Sequence, residues 1–220
     1  RAGDNSLAPN TFIYNSLMKT WINKGLHPEV GENVEDVLRE MWDMMRSDDD
    51  HYACIKPDQK SYNIAINAWA KSNAPNAPER ASRLLDEMWE RFDGGDISLA
   101  PNTISYNSLI NAWSLRAGSG NHAESLLREM WRLHTSDPRF DTKPDRKSYN
   151  AVIKVWAKSD DPSATEHARR LLANMWERYR SEDRSLAPDA ITYNSLIDAW
   201  SKSQHPDSGK RAEDVLREMW

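Results

Sequence analysis

The sequence predicts an all-α fold, an α-solenoid of tandem helix–turn–helix repeats. The chain has 220 residues and ten tryptophans, and the tryptophans form two sets that each recur about every 44 residues. A period of this length is typical of stacked two-helix units. The first set is Trp21, Trp69, Trp113, Trp156 and Trp200, and the second is Trp42, Trp89, Trp131, Trp176 and Trp220.

The first helix of each repeat is predicted from the spacing of its apolar residues. Tyr and Trp stand seven residues apart around an apolar pair, as in SYNSLINAW at 105–113. This spacing places them on one face of an α-helix. A proline lies five residues before each tyrosine, where it suits a helix start. The first segments are 13–21, 61–69, 105–113, 148–156 and 192–200.

The second helix of each repeat carries apolar residues at steps of three and four, as in AESLLREMW at 123–131. Glycine, proline, asparagine and serine crowd the joints between the two helices, as at 118–120. We expect the Tyr, Trp and Met side chains, Trp113 among them, to fill the core of a thin two-layer array. The second segments are 34–42, 81–89, 123–131, 168–176 and 212–220.

These segments divide the chain into repeats that we expect to form one continuous solenoid domain. Residues 1–10 match the connector before the third repeat, so we interpret them as the tail of a preceding repeat. We interpret the last repeat as truncated within its second helix. The predicted repeats are 11–58, 59–102, 103–145, 146–189 and 190–220.

Composition and motifs argue against several functional classes. No apolar run is long enough to cross a membrane. Cys54 is the only cysteine, the six histidines lack metal-ligand spacing, and no glycine-rich phosphate loop or paired-carboxylate motif is present. We therefore expect no enzymatic activity, no cofactor, no metal and no small-molecule substrate. The net charge of −5 argues against nucleic-acid binding, but the five first-helix segments taken together are positive, and the acidic excess falls on second helices and connectors.

Five copies of one motif resemble the pentatricopeptide repeat. Each copy combines Pro-Asn or Pro-Asp with Tyr-Asn, a small residue before Trp, and a second helix ending in Met-Trp. The repeats are longer than is usual in that family, and we expect an extended second helix and a longer connector to hold the surplus on the outer side. The resemblance implies a right-handed superhelix whose first helices bind single-stranded RNA, one base per repeat, in a mitochondrion or plastid.

The resemblance also implies which residues read the bases. The asparagine after each tyrosine faces a base edge, together with the residue after the proline that opens the next repeat. An Asp partner accepts the N3–H of uracil, whereas an Asn partner suits cytosine, so the implied target is 5′-UCUU-pyrimidine-3′. The asparagines are Asn15, Asn63, Asn107, Asn150 and Asn194, and their partners are Asp58, Asn102, Asp145 and Asp189.

Two further groups follow from the same resemblance. Residues two positions after the Asn or Asp that follows each proline are expected to flank the bases, and lysines two positions after the first-helix Trp are expected to contact phosphates. The flanking residues are Phe12, Lys60, Ile104, Lys147 and Ile191. The phosphate-contacting residues are Lys71, Lys158 and Lys202.

These residues also have a purely structural interpretation. Asp or Asn after Pro is a natural helix N-cap, and an Asn in the first turn can satisfy local backbone groups. At the level of function, the alternative to RNA binding is a protein- or peptide-binding scaffold. The recurring Asn/Asp pairing distinguishes the two, because a peptide groove does not require it.

Overall fold

The fold was determined from a computed structural model that describes residues 9–23, 25, 27–47, 54–137, 139–181 and 183–219. Most of the predicted N-terminal tail, residues 1–8, and Trp220 lie outside the described residues. Every regular element within them is helical, which confirms the predicted all-α class. The α-helices are α1 (Thr11–Asn23), α2 (Val30–Met45), α3 (Gln59–Ser72), α4 (Ala77–Asp93), α5 (Thr103–Trp113), α6 (Gly120–Ser136), α7 (Arg146–Ala157), α8 (Ala164–Arg180), α9 (Ala190–Lys202) and α10 (Ser208–Arg217).

The helices are divided between two compact units, residues 1–112 and residues 113–220. In the first unit, α3 packs against α2, α4 and α1. In the second unit, α7 packs against α6, α8 and α9, and α9 packs against α10. The first helices α1 and α3, and likewise α7 and α9, therefore lie side by side, and α2, α4, α8 and α10 each pack against the first helix of their own repeat.

The core contains most of the predicted aromatic residues. The first-helix indoles of Trp69, Trp156 and Trp200 are buried. Five other tryptophans that we expected in the core are only partly buried: Trp21, Trp89, Trp113, Trp131 and Trp176. The Trp113 ring lies 3.9 Å from the His122 ring between centroids. Four methionines at the equivalent second-helix position are fully buried: Met41, Met88, Met130 and Met175. Met219, at the same position of the last repeat, is exposed.

A hydrogen bond from a second-helix tryptophan to the next repeat's tyrosine joins successive repeats. The bond from Trp42 Nε1 to the Tyr62 hydroxyl is 2.9 Å long, and the Tyr62 hydroxyl in turn donates to Glu87 Oε1 at 2.7 Å. Burial and the Glu87 charge raise the pKa of Tyr62, so its hydroxyl stays protonated and fills both roles. The same bond recurs from Trp89 to Tyr106 at 3.2 Å, from Trp131 to Tyr149 at 3.1 Å and from Trp176 to Tyr193 at 3.0 Å.

The repeats are longer than is usual in the family that they resemble, and the sequence predicts long second helices and long connectors. The second helices are long, and two of the connectors pack a leucine into the core. Helices α4, α6 and α8 each have 17 residues, against 12 in α7. Short 3-10 helices at Ile97–Leu99 and Arg184–Leu186 follow α4 and α8, and each ends in a fully buried leucine. The surplus does not separate α1 from α3 or α7 from α9, which remain in contact.

Close contact between a glycine and an indole sets the approach of second helices to the next first helix. A Cβ atom placed on Gly31 would lie 2.4 Å from the Trp69 ring, and one placed on Gly120 would lie 2.5 Å from the Trp156 ring. These separations leave no room for a methyl group. The equivalent glycine of the last repeat, Gly209, has nothing within 4 Å of such an atom.

We predict that Gly120→Ala destabilises the protein by about 1–3 kcal/mol, because the added methyl group displaces the buried Trp156 indole. Alanine ordinarily favours a helix over glycine, so the sign of the effect identifies the clash. Gly209→Ala is the matched control and should be neutral or slightly stabilising. Urea denaturation of the two variants and the parent measures both effects, and equal stabilities for the two variants would contradict the packing described above.

Candidate nucleic-acid interface

The predicted base-reading residues contact one another across neighbouring repeats. In three of the four predicted pairs, the asparagine amide donates a hydrogen bond to Oδ1 of its partner. The distances are 3.3 Å from Asn15 to Asp58, 3.3 Å from Asn63 to Asn102 and 3.1 Å from Asn150 to Asp189. The members of the fourth pair, Asn107 and Asp145, lie in different units, and Asn194 is exposed on α9.

The partner residues are also helix N-caps, as their structural interpretation predicts. Asp58 caps α3 by accepting from Ser61 N–H at 2.8 Å, and the Asp58 backbone N–H donates to the Ser61 hydroxyl at 3.2 Å. Asp145 and Asp189 form the same capping box with Ser148 and Thr192. The cap oxygen that starts each of these helices is therefore positioned by local backbone geometry.

A hydroxyl group that the sequence analysis did not single out fixes the amide of two of the asparagines. The Ser105 hydroxyl lies 2.6 Å from Asn63 Oδ1, and the Thr192 hydroxyl lies 2.6 Å from Asn150 Oδ1. With Oδ1 held by a hydroxyl and one amide hydrogen given to the cap, each of these two amides keeps one hydrogen to donate. Ser or Thr three residues after each cap was the available sequence signal.

The first pair differs in this detail. The Ser61 hydroxyl lies 2.9 Å from Asp58 Oδ1, and Asn15 Oδ1 is buried with no hydrogen-bond partner among the residues that the structure describes. Asn15 and Asn150 are themselves buried, whereas Asn63 is half-buried. In each of the three pairs, hydrogen bonds therefore hold the polar side chains in place at the junction of two repeats.

Two of the partner residues, Asn102 and Asp189, also contact the residue that directly follows the N-cap of the preceding repeat. Asn102 Nδ2 donates to Gln59 Oε1 at 2.9 Å, and Gln59 Nε2 donates to the Ala100 carbonyl at 2.6 Å. In the second unit, Arg146 takes the place of Gln59, and its guanidinium lies 3.5 Å from Asp189 Oδ2. Asn102 therefore contacts an amide, that of Gln59, whereas Asp189 contacts a cation, the guanidinium of Arg146.

The carboxylate of Asp189 is held in its ionised form. Partial burial alone would raise its pKa, but hydrogen bonds from Thr192 and Asn150 and the charge of Arg146 outweigh burial and lower it. At neutral pH, Asp189 is therefore an acceptor only, as the uracil hypothesis requires.

We predict that Asp189→Asn removes a pH-dependent part of the stability. The pKa of Asp189 is lower in the folded chain than its ordinary value near 4, so its contribution is complete above about pH 4 and is lost as the pH falls through the lowered value. Asparagine keeps the helix cap but does not titrate. Chemical denaturation from pH 7 to pH 2 should show a parent-to-variant stability gap that closes with acid, and a constant gap would contradict this assignment.

The predicted base-flanking residues are all exposed. Phe12, Ile104 and Ile191 have 70%, 59% and 60% of their surface accessible, which is high for large apolar side chains. Lys60 and Lys147 are also exposed, and Lys60 Nζ lies 6.0 Å from the centroid of the Phe12 ring. Phe12 and Lys60, which are successive members of this group, therefore lie next to each other on the surface.

The predicted phosphate-contacting lysines are exposed at the ends of first helices. Lys71 lies in the last turn of α3, and Lys158 follows α7 as its C-cap. Lys202 Nζ donates to the Ala157 carbonyl at 3.2 Å and forms an ion pair with Asp198 at 2.6 Å. Asp198 therefore partly compensates the charge of Lys202.

Neither a metal cluster nor a membrane span is found in the described part of the chain. No group of three His, Cys, Asp or Glu side chains there is placed to hold a metal ion. None of its helices combines the length and apolar character that crossing a bilayer demands.

Comparison with known proteins gives one consistent result. A family model described as "PPR repeat" matches residues 104–134 and 191–220, in the third and fifth repeats. A mitochondrial pentatricopeptide repeat-containing protein of Arabidopsis thaliana is 33% identical over 120 residues, 54% of this chain. A chloroplastic one from the same plant is 30% identical over 154 residues, 70% of this chain. The chain spans only 18% and 16% of the length of these relatives.

The fold is similar to a solved structure as well. The crystal structure of a pentatricopeptide repeat protein from maize matches 97% of this chain with a TM-score of 0.57 and 21% sequence identity. The match covers 25% of the maize chain. It shows a common helical-repeat fold and agrees with the predicted solenoid class.

Proposed function

The chain belongs to the pentatricopeptide repeat family, and we propose that it binds single-stranded RNA, with one base on each repeat. The proposal rests on the asparagine–cap pair, in which the asparagine after the tyrosine of one repeat donates to the N-cap residue of the next repeat. The same hydrogen bond forms at three junctions between neighbouring repeats. Helix stability alone requires only the cap. The asparagine that reaches it from the preceding repeat supplies polar groups at a regular spacing, which suits a ligand that is itself a regular polymer.

The chemistry of the pairs favours pyrimidines. The remaining amide hydrogen of Asn63 or Asn150 is a donor, and both uracil and cytosine carry carbonyl oxygens that accept it. The partner then separates the two bases. An ionised Asp accepts the N3–H of uracil, whereas the N3 lone pair of cytosine would face it unfavourably. The sequence of partners gives 5′-UCUU-pyrimidine-3′.

The exposed flanking residues support the same function. Exposed apolar side chains at one position of α1, α5 and α9 are costly to leave in water, and the flat face of a base would cover them. The lysine stems of Lys60 and Lys147 can pack against the opposite face of a base while their ammonium groups remain solvated. We propose that each base lies between one apolar residue and one lysine.

We further propose that the chain acts by binding and not by catalysis, in a mitochondrion or a plastid. The names of its Arabidopsis relatives support an organellar location. The composition supports the absence of catalysis, because the chain lacks the motifs on which hydrolytic or phosphoryl-transfer chemistry depends.

We predict that Asn102→Asp moves the preferred second base from cytosine to uracil. The substitution keeps the N-cap and the acceptor for Asn63 but replaces a donor by an acceptor. One matched hydrogen bond in place of an unsatisfied pair changes the relative affinity for the two bases by about 1–3 kcal/mol, roughly 5-fold to over 100-fold. Competition between the RNAs UCUUU and UUUUU for parent and variant measures the change.

A companion variant controls for the neighbourhood of residue 102. A carboxylate there would face Gln59 Oε1, so Gln59→Arg should accompany Asn102→Asp to reproduce the pairing of Arg146 with Asp189. The double variant should prefer uracil at least as strongly as the single one. If parent and both variants rank the two RNAs identically, residue 102 is a helix cap only. If the parent binds neither RNA but retains a peptide partner, the scaffold alternative is correct.

A further inference from the structure

Helix α7 carries a row of lysines along one face. Lys147, Lys154 and Lys158 are separated by seven and four residues, which places them within a narrow arc of a 3.6-residue helix. All three side chains are exposed. Residues 146–157 contain no Asp or Glu, so the helix has no acidic residue of its own to offset them.

Neighbouring elements do not neutralise this row. Within the described residues, no carboxylate forms an ion pair with any of the three ammonium groups, whereas Lys202 on α9 is paired with Asp198. Lys158 is also close to other cations, since partial burial and the charges of Lys154 and Lys202 lower its pKa. Like charges four residues apart on a helix are mutually destabilising. The row therefore costs stability in the free protein.

Stabilisation of the helix itself does not explain the row. Lysines near a helix C-terminus interact favourably with the helix dipole, which accounts for Lys154 and Lys158. Lys147 lies in the first turn, where the same dipole disfavours a cation. A ligand with negative charges along the whole face would stabilise all three.

The row is particular to this repeat. The equivalent three positions hold Lys60, Asn67 and Lys71 on α3, Ile104, Asn111 and Leu115 on α5, and Ile191, Asp198 and Lys202 on α9. On α1 they hold Phe12, Lys19 and Asn23. No other first helix has lysine at all three positions.

We propose that the lysine row of α7 is the main phosphate-binding site of the chain and that Lys154, to which the sequence analysis gave no role, is a phosphate ligand. This inference rests on the proposed RNA binding. Lys147 lies beside the base of the nucleotide read by Asn150, and Lys154 and Lys158 bind the phosphates that join this nucleotide to its neighbours. The row holds the backbone irrespective of sequence, while the asparagine–cap pairs select the bases.

The test compares Lys154→Gln with the parent by titrating labelled UCUUU at several salt concentrations. Each lost phosphate contact should make the log–log slope less steep by about 0.7, and the double variant Lys154→Gln/Lys158→Gln by about 1.4. The ratio of affinities for UCUUU and UUUUU should stay unchanged. Lys154→Arg should restore the parental slope, which a role in packing alone would not require.

Lys210→Gln is the matched control, because Lys210 is an exposed lysine on the second helix α10 of the same unit. It should leave the slope unaltered. A second arm replaces single phosphates of UCUUU by neutral methylphosphonates. Substitution next to the fourth nucleotide should weaken binding to the parent but not further weaken binding to Lys154→Gln, as expected for two changes that remove one contact.

The outcomes separate this inference from the proposed function. If the parent binds UCUUU in preference to UUUUU and Lys154→Gln has the parental slope, the lysine row is not a phosphate site although the chain reads RNA. An equal effect of Lys210→Gln would also overturn the inference, since the charge effect would then be general. If the parent binds no RNA at all, both proposals fail. Displacement of bound RNA by an acidic peptide of equal charge would assign the row to a protein partner instead.

Discussion

One oxygen atom connects helix formation, repeat stacking and the candidate interface. The Oδ1 atom of the residue after each proline accepts the backbone N–H groups that open a first helix, and in three cases it also accepts the amide of an asparagine one repeat earlier. The first role fixes the position of the atom by local geometry, at a site where removing a cap ordinarily costs about 1 kcal/mol. The second role aligns one repeat with the next. A side chain with two structural functions already in place needs little further ordering to serve a ligand, which lowers the entropic cost of binding.

The fold was predictable because its signals are local and repeated. Three sequence signals each describe a single helix and its apolar face: the interval between Tyr and Trp, the proline before each first helix, and the Met-Trp pair that closes each predicted second helix. Five copies make each signal stronger than one copy could. The partial burial of Trp113 was not predictable, because the repeat pattern assigns it the same role as Trp156 and the difference arises from its surroundings.

The candidate site was predictable in its residues but not in its contacts. The sequence places Asn63 and Asn102 in separate repeats. Only the structure shows that their side chains are hydrogen-bonded and that the Ser105 hydroxyl holds the Asn63 amide. The ion pair between Lys202 and Asp198 was predictable from the sequence, because the two residues are four positions apart on one helix. The phosphate-binding role that we propose for Lys154 was not predictable, because an exposed lysine is informative only when the structure shows which carboxylates lie near it.

The bonds between successive repeats have a direction, and this bears on how such arrays can be recombined. Asparagine amides and tryptophan indoles donate toward the following repeat, and capping oxygens and tyrosine hydroxyls receive. Each pair of asparagine and capping residue, which we propose reads one base, therefore spans a junction: it begins within one first helix and ends at the start of the next. Modules exchanged at the proline boundaries would carry half of one reading pair and half of another. A cut placed in the first helix, between the capping residue and the asparagine, would transfer each asparagine together with its own partner.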